Sequence, residues 1–385
     1  MSIRRLRQKF PALCLGVAAG ALTLTLASCV SDGLAPADRH RGDFLALVST
    51  SPGDPAPVQV FVASTRERGG DAEREGRAHF ALVSIGVPPN HRIGVVERSS
   101  FGVNDARRDF AVLSRRSMDE ADFLGELAAR VAGRSGAGRN VLIYVHGYDV
   151  GLDEARFRVA QIAADTRFQG VSALFTWDSN GRSGLRAYES DKESATIARD
   201  ALEKLLEQVA HAPGVGRVHI LAHSMGAWLA MESLRAITIA GHPDLDGRLG
   251  EIMLAAPDID LGVFDQQIAR VGPEHVSIFV SSTDRALSLS SRIAGDRPRL
   301  GGLDPSNPGD MKELGALGVR VYDTSRLNAD LVGHNSFAEV PIVVGAIGAL
   351  LASSGGDADR GERGAAPPSP AELASEGNGM AVSRP

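Results

Sequence analysis

The chain has 385 residues, 43% of them hydrophobic, and its 41 Lys and Arg against 47 Asp and Glu leave a formal net charge of −6. That length suits one large domain with a sizeable core, and the mixed, slightly acidic balance argues against a nucleic-acid surface built on excess basic charge. The two cysteines, Cys14 and Cys29, both lie near the N-terminus, so the folded part has no disulfide and depends on core packing.

The first stretch, "MSIRRLRQKFPALCLGVAAGALTLTLASCV", starts basic at Arg4, Arg5, Arg7 and Lys9 and continues apolar from Leu13 to Leu26. The run is short and diluted by Gly, Ala and Thr, which predicts a secretory signal over residues 1–28 rather than a spanning helix. No full twin-arginine motif follows the Arg4–Arg5 pair. The closing "LASC" resembles a bacterial lipobox, in which Cys29 becomes the lipidated first residue of the mature chain; the alternative is a cleavable signal beside an incidental cysteine. Val30 rather than Asp after the cysteine points to the outer membrane, facing the periplasm. The partner expected at this end is therefore a membrane, reached through an N-terminal lipid anchor.

Residues 29–43 are polar with Gly and Pro and read as a tether. From residue 44 to 354 strand-like and helix-like segments alternate. "FLALVST" and "VQVFVAST" read as early strands, and "HFALVSIGV" and "RIGVVE" as antiparallel neighbours at the sheet edge. "DFLGELAARVAG" is helical, "NVLIYVHGYD" an apolar strand ending at His146 and Gly147, "DEARFRVAQIAADT" a helix, and "VSALFTW" a strand. A long helix follows from about Asp191 to Val209, with Leu202, Leu205, Leu206 and Val209 on one face. Then come the strand "RVHILAHS" and a helix, "EIMLAAPD", a short helix near "FDQQIARV", the strand "HVSIFVSS", "ALSLSSRIA", the strand "GVRVYDTS", and a closing helix "VPIVVGAIGALLASS" stopped by Gly355 and Gly356. Residues 355–385, rich in Gly, Pro, Ser and charge, are predicted to be disordered. There is no internal repeat.

Apolar strands separated by helices predict an α/β fold with a mostly parallel sheet covered on both faces. Ligands in such sheets bind at the carboxyl ends of the strands, where His146, Ser224, Asp258 and Asp284 all fall. "AHSMG", Ala222 to Gly226, joins a strand to a helix through small residues, the pattern of a nucleophile elbow, with Ala222 where G-x-S-x-G has glycine. The bland alternative for Ser224 is an ordinary helix N-cap.

A serine nucleophile needs a histidine to take its proton and an acid to orient that histidine. In the order Ser, acid, His the chain offers Ser224, Asp284 after "HVSIFVSST", and His334 in "LVGHNSF". His275, the preceding histidine, begins its strand at the wrong end of the sheet. Asp258 and Asp260 in "APDID" are alternative acids, with Asp284 preferred because its strand is the usual donor. The oxyanion donors are expected to be the N–H groups of Met225 and, from "HGYD", Tyr148. His146 is expected to brace that loop and His223 to pack beside the serine. His219 and His223 do not have helical spacing, and no metal-binding pattern or cofactor motif is evident.

"VLIYVHGYDV", "ALFTWDSNG", "AYESDKESA", "ILAHSMGAWLAMESLR", "IMLAAPDIDLGVF", "FVSSTDRALSLS" and "GHNSF", with "VFVASTRER" and "IGVPPNHRIG" upstream, resemble the bacterial α/β-hydrolase family labelled domain of unknown function 900, also called the esterase/lipase superfamily. The resemblance runs from about Val58 to Phe337. It implies an α/β-hydrolase fold, the triad Ser224, Asp284 and His334, and a cleft lined by His146, Gly147, Trp177, Tyr188, Asp191 and His223. Alanine at the first small position of the elbow is common in such sequences.

The resulting expectation is a lipid-anchored serine hydrolase working through an acyl-enzyme on an ester or acyl substrate. An acyltransferase or thioesterase would use the same residues, and a catalytically idle envelope binding domain is the reading from another class. Cleavage of long-chain lipids would call for an apolar lid. The candidate stretches, Ser179 to Tyr188 and Arg292 to Leu314, are not strongly apolar, which leaves a small or soluble ester at least as suitable.

Overall fold

Among the described residues, alternating strands and helices build one nine-stranded sheet. The computed structural model describes residues 53–66, 77–99, 105–179, 184–327 and 332–353; the signal, the tether with Cys29, the expected strand "FLALVST" and the tail lie outside the described residues. Among the described residues no helix is long and apolar enough to cross a membrane.

The chain runs β1 (Ala56–Ser64), β2 (His79–Val87), β3 (Ala111–Met118), α1 (Glu120–Val131), β4 (Val141–Val145), α2 (Leu152–Asp165), β5 (Val171–Thr176), α3 (Leu185–His211), β6 (Val218–His223), α4 (Met225–Ala240), α5 (Asp244–Gly247), β7 (Leu249–Ala255), α6 (Leu261–Val271), β8 (Val276–Val280), α7 (Arg285–Ile293), α8 (Pro308–Ala316), β9 (Arg320–Asp323), α9 (Ser336–Glu339) and α10 (Pro341–Ser353). The strand order is β3-β2-β1-β5-β4-β6-β7-β8-β9. From β1 to β9 every pairing is parallel, and β2 and β3 close one edge antiparallel.

The period-2 geometry of the strands sorts their side chains into two cores. On one face Val141, Ile143 and Val145 of β4 join Ile220 and Ala222 of β6 against Leu202, Leu206, Leu229 and Phe264 from α3, α4 and α6. On the other, Leu142, Tyr144 and Leu221 meet Val159, Ile162, Ile347 and Leu350 from α2 and α10. Central strands buried on both faces explain the continuous apolar runs. They also make β4 and β6 a rigid platform whose carboxyl ends carry the candidate site.

The edge departs from expectation. "RIGVVE" is not a strand: Gly94 has φ 84°, and a Cβ there would lie 2.3 Å from the Glu339 carbonyl oxygen, so the segment is a loop laid against α9. The antiparallel partners of β2 are β1 and β3. β3 escaped detection because six of its eight residues are exposed, which removes the alternation that marks a half-buried strand. Helix α3 starts at Leu185, six residues before the apolar spacing begins, and Gly184 with φ 120° precedes it.

The 88–99 loop is held by His91, whose Nδ1 lies 2.8 Å from Glu97 Oε2 and Nε2 2.7 Å from Asp165 Oδ1. Burial disfavours the imidazolium, but hydrogen bonds to Asp165 and Glu97 and their charges outweigh it and raise the His91 pKa above 6.5. A raised folded-state value means that the contribution of His91 is fully present below the unfolded pKa and is lost as pH rises through the folded one. Urea titrations from pH 5.5 to 9 should therefore show a stability component that declines above about pH 6.5. The His91→Gln variant should lack that component; identical pH profiles would refute this assignment.

Candidate active site

Strand β6 is buried throughout and delivers the chain to Ser224, which has φ 54° and ψ −122°. This strained turn costs of order 1–3 kcal/mol, and it projects the serine out of the strand line. Its backbone is satisfied: the N–H donates to Ala255 O at 2.9 Å, and the carbonyl accepts from Ala227 N at 3.0 Å and Asp258 N at 3.2 Å. The hydroxyl makes no capping bond to α4, so the ordinary N-cap arrangement is not what holds this residue. Gly226 permits the close approach, since a Cβ there would lie 2.3 Å from His146 O and 2.8 Å from Val145 O. Ala222 needs no such freedom: it is an ordinary strand residue paired with Val145 and Leu254. The N–H of Met225 opens α4, where no carbonyl of the same helix can accept it.

Two strands further along, Asp284 follows β8 and His334 follows β9. Asp284 Oδ2 lies 2.7 Å from His334 Nδ1, and Asp284 Oδ1 accepts the Leu287 N–H at 3.0 Å as the N-cap of α7. The Asp284 carboxylate is fully buried and positioned by its own helix. Arg285 N–H donates to Val332 O at 3.1 Å, tying the His334 loop to the same helix start. With Nδ1 facing the carboxylate, the neutral imidazole carries its proton there and keeps Nε2 as a base.

His223 connects this pair to the elbow. Its Nε2 donates to the His334 carbonyl oxygen at 3.2 Å, its ring centroid is 4.6 Å from that of His334, and it stacks on Phe337. Burial, reinforced by His334, holds its pKa well below 6.5, so it stays neutral. The residue next to Ser224 thus grips the backbone of His334.

On the other side of Ser224 runs the 146–150 loop. A Cβ at Gly147 would lie 2.8 Å from Ser224 Cβ and 3.0 Å from His223 Nδ1, so only glycine lets this backbone come so near. His146 is buried beneath it, with Nδ1 2.9 Å from Gly147 O and Nε2 2.9 Å from Thr176 Oγ1. Burial, with Arg66 nearby, pushes the His146 pKa down to about 3. Trp177 stacks on His146 at 5.2 Å and donates its indole N–H to His146 O at 3.0 Å.

Trp177 and Asp191, expected to line a cleft, are therefore supports instead, and His146, which the resemblance also placed in the cleft lining, lies under the loop that the residue reading expected it to brace. His146, Trp177 and Asp191 have no exposed surface, because the indole fills the space under the loop and Asp191 Oδ2 accepts the Ser179 hydroxyl at 2.6 Å. Tyr148 and Tyr188 are partly exposed and meet edge-on at 5.5 Å. The Tyr148 hydroxyl exchanges hydrogen bonds with the backbone of Gly184.

The alternative acids have other partners. Asp258 accepts from Tyr188 Oη at 2.8 Å and Ser290 Oγ at 2.6 Å and pairs with Arg299 Nε at 3.2 Å. Burial, then the charge of Asp258, raises the Tyr188 pKa, which keeps the phenol a donor. Asp260 caps α6 through Val263 N at 3.3 Å and binds Arg297 at 2.8 Å. The middle of the stretch from Arg292 to Leu314 is sewn to the strand ends at Leu300 and Gly301, by Leu300 N to Ile259 O, Gly301 N to Pro257 O and Ser281 N to Gly301 O. Residues 180–183 of the other lid candidate lie outside the described residues. Among the described residues no group of three or more His, Cys, Asp or Glu side chains is placed to hold a metal ion.

Residues 122–353, more than half of the chain, match the family described as alpha/beta hydrolase of unknown function (DUF900). The chain belongs to this α/β-hydrolase family. No curated protein matches it. Solved structures similar to this α/β hydrolase include an esterase from Pyrobaculum calidifontis, 12% identical over 60% of this chain and 88% of that one, with a TM-score of 0.32. Carboxyl esterase 2 from Tuber melanosporum is 10% identical over 82% and 95%, with a TM-score of 0.34. A lipase-esterase related protein from Clostridium acetobutylicum is 9% identical over 55% and 92%, with a TM-score of 0.28.

Reading the residues of this α/β hydrolase in sequence missed Arg66, Ser290 and Arg299 as parts of the site's frame. Arg66 alone had a visible cue, a cation two residues beyond a strand at the carboxyl edge of the sheet.

Proposed function

We propose that this α/β hydrolase is a serine hydrolase of carboxylic esters, held at the bacterial envelope by a lipid on Cys29. The observation that carries the reading is the 2.7 Å contact between Asp284 and His334, on a loop gripped by the residue adjoining a serine at positive φ. Ser224 Oγ attacks the ester carbonyl while His334 Nε2 takes the hydroxyl proton. The developing oxyanion is met by the N–H groups of Met225 and Tyr148, and Asp284 stabilises the imidazolium. Collapse breaks the carbon–oxygen bond of the leaving group, which departs as an alcohol with the proton from His334. Water, deprotonated by the same imidazole, then frees the acid and regenerates Ser224.

The 292–314 stretch, pinned at Leu300 and Gly301 and not strongly apolar, supports a small or soluble ester over a long-chain lipid. Purified protein assayed with p-nitrophenyl esters of graded acyl length should turn over the short chains fastest. A folded protein that hydrolyses none of them would refute the reading. For the anchor, full-length protein expressed in a bacterial host should fractionate with membranes, and its Cys29→Ser variant should move to the soluble fraction. Equal fractionation of the two would contradict lipidation.

A further inference from the structure

Arg66 follows the carboxyl end of β1 and joins the loops after β4 and β5 behind the candidate site. Its Nε donates to Thr176 Oγ1 at 2.6 Å, Nη1 to Ser179 O at 2.8 Å, and Nη2 to Val150 O at 2.6 Å and to His146 Nε2 at 3.2 Å. A guanidinium has donors only, so the imidazole nitrogen facing it must accept. The backbone N–H of Trp177 donates to the same nitrogen at 3.3 Å. A neutral imidazole has one proton, and here it must sit on Nδ1, 2.9 Å from Gly147 O.

That carbonyl has a counterpart. The Gly147 C=O and the Tyr148 N–H belong to one planar trans peptide and point in opposite directions, so holding the oxygen fixes the direction of the N–H. This is the peptide that glycine allows against Ser224, with a Gly147 Cβ position only 2.8 Å from Ser224 Cβ. The links run from Arg66 to the His146 proton, from that proton to the Gly147 oxygen, and from the oxygen to the Tyr148 N–H.

We propose that Arg66 is a positioning residue that sets the His146 tautomer and thereby aims the Tyr148 N–H as an oxyanion donor. The proposal rests on the serine-hydrolase reading above. It differs from a purely structural role for a buried arginine because it demands one tautomer and makes a donor at the Nδ1 position, rather than at Nε2, the group that matters for rate.

The test uses full-length protein. Reaction of the wild type with a fluorophosphonate is checked first, and a wild type that does not react overturns the hydrolase reading and this proposal with it. Histidine-selective ¹⁵N NMR then reads the His146 ring, assigned by its loss in the His146→Asn variant; the expected spectrum shows Nδ1 protonated and Nε2 unprotonated at neutral pH. In kinetics, His146→Asn places an amide N–H where Nδ1 was, whereas His146→Gln places one near Nε2. The Asn variant should exceed the Gln variant in kcat by about tenfold or more, and Arg66→Met should lose about 10²-fold in kcat with little change in KM, the scale of one lost oxyanion donor. An Nε2-protonated His146 in a reactive wild type, or equal kcat in the two His146 variants, would overturn the proposal while leaving the serine-hydrolase reading intact. The His146 pair keeps the test decisive if Arg66→Met does not fold.

Discussion

Ser224→Ala should lower the kcat for p-nitrophenyl acetate by about 10⁵ to 10⁶-fold, the scale seen when the nucleophile is removed from a serine triad. That corresponds to about 7–8 kcal/mol of transition-state stabilisation at 1.36 kcal/mol per tenfold. Folding stability should change by less than about 0.5 kcal/mol, because alanine inherits the same positive φ and the lost hydroxyl made no capping bond. The two effects together identify the residue. An N-cap serine would show the opposite pattern, a loss of about 1 kcal/mol in stability with activity retained. Urea titration beside the kinetic assay separates the cases.

The second large effect distinguishes the acids. Asp284→Asn should cut kcat by about 10⁴-fold, because an amide facing Nδ1 favours the wrong imidazole tautomer and cannot balance the imidazolium. The buried N-cap geometry survives, since the Asn carbonyl can still accept the Leu287 N–H. Asp258→Asn should act mainly on stability. Asp258 and Arg299 are a buried pair, with side chains 3% and 8% exposed, and removing one charge of such a pair costs about 3–5 kcal/mol. Activity per folded molecule, normalised by active-site titration, should stay within a few-fold of wild type. A reversal of these two outcomes would move the acid to Asp258.

What the sequence revealed and what it hid divide along physical lines. Strands β4 to β8 were legible because burial on both faces makes continuous apolar runs, whereas edge strand β9 buries only Tyr322 and showed through its Val-Tyr core alone; the polar residues at the strand exits placed His146, Ser224, Asp258 and Asp284 on one edge of the sheet. The elbow was legible because close helix–strand approach requires small residues, as the contact between Gly226 and the His146 carbonyl shows. Exposed β3 had no alternation to read, and the Val95–Val96 apolar pair in "RIGVVE" mimicked a strand although Gly94 turns the chain. The buried supports were hidden for another reason. Whether Trp177 lines a cleft or lies beneath a loop depends on which side of the backbone it leaves, and nothing in "ALFTWDSNG" states that. Likewise the partners that occupy Asp258, namely Tyr188, Ser290 and Arg299, come from three distant segments.

The central claim is that Ser224 is an activated nucleophile, and it is tested most directly by covalent capture. Purified protein incubated with a fluorophosphonate, digested and analysed by mass spectrometry should carry one phosphonyl adduct, on Ser224. The adduct should be absent from Ser224→Ala and formed far more slowly in Asp284→Asn. A folded wild-type protein that takes no adduct, or takes it on another residue with Ser224 unmodified, would contradict the account.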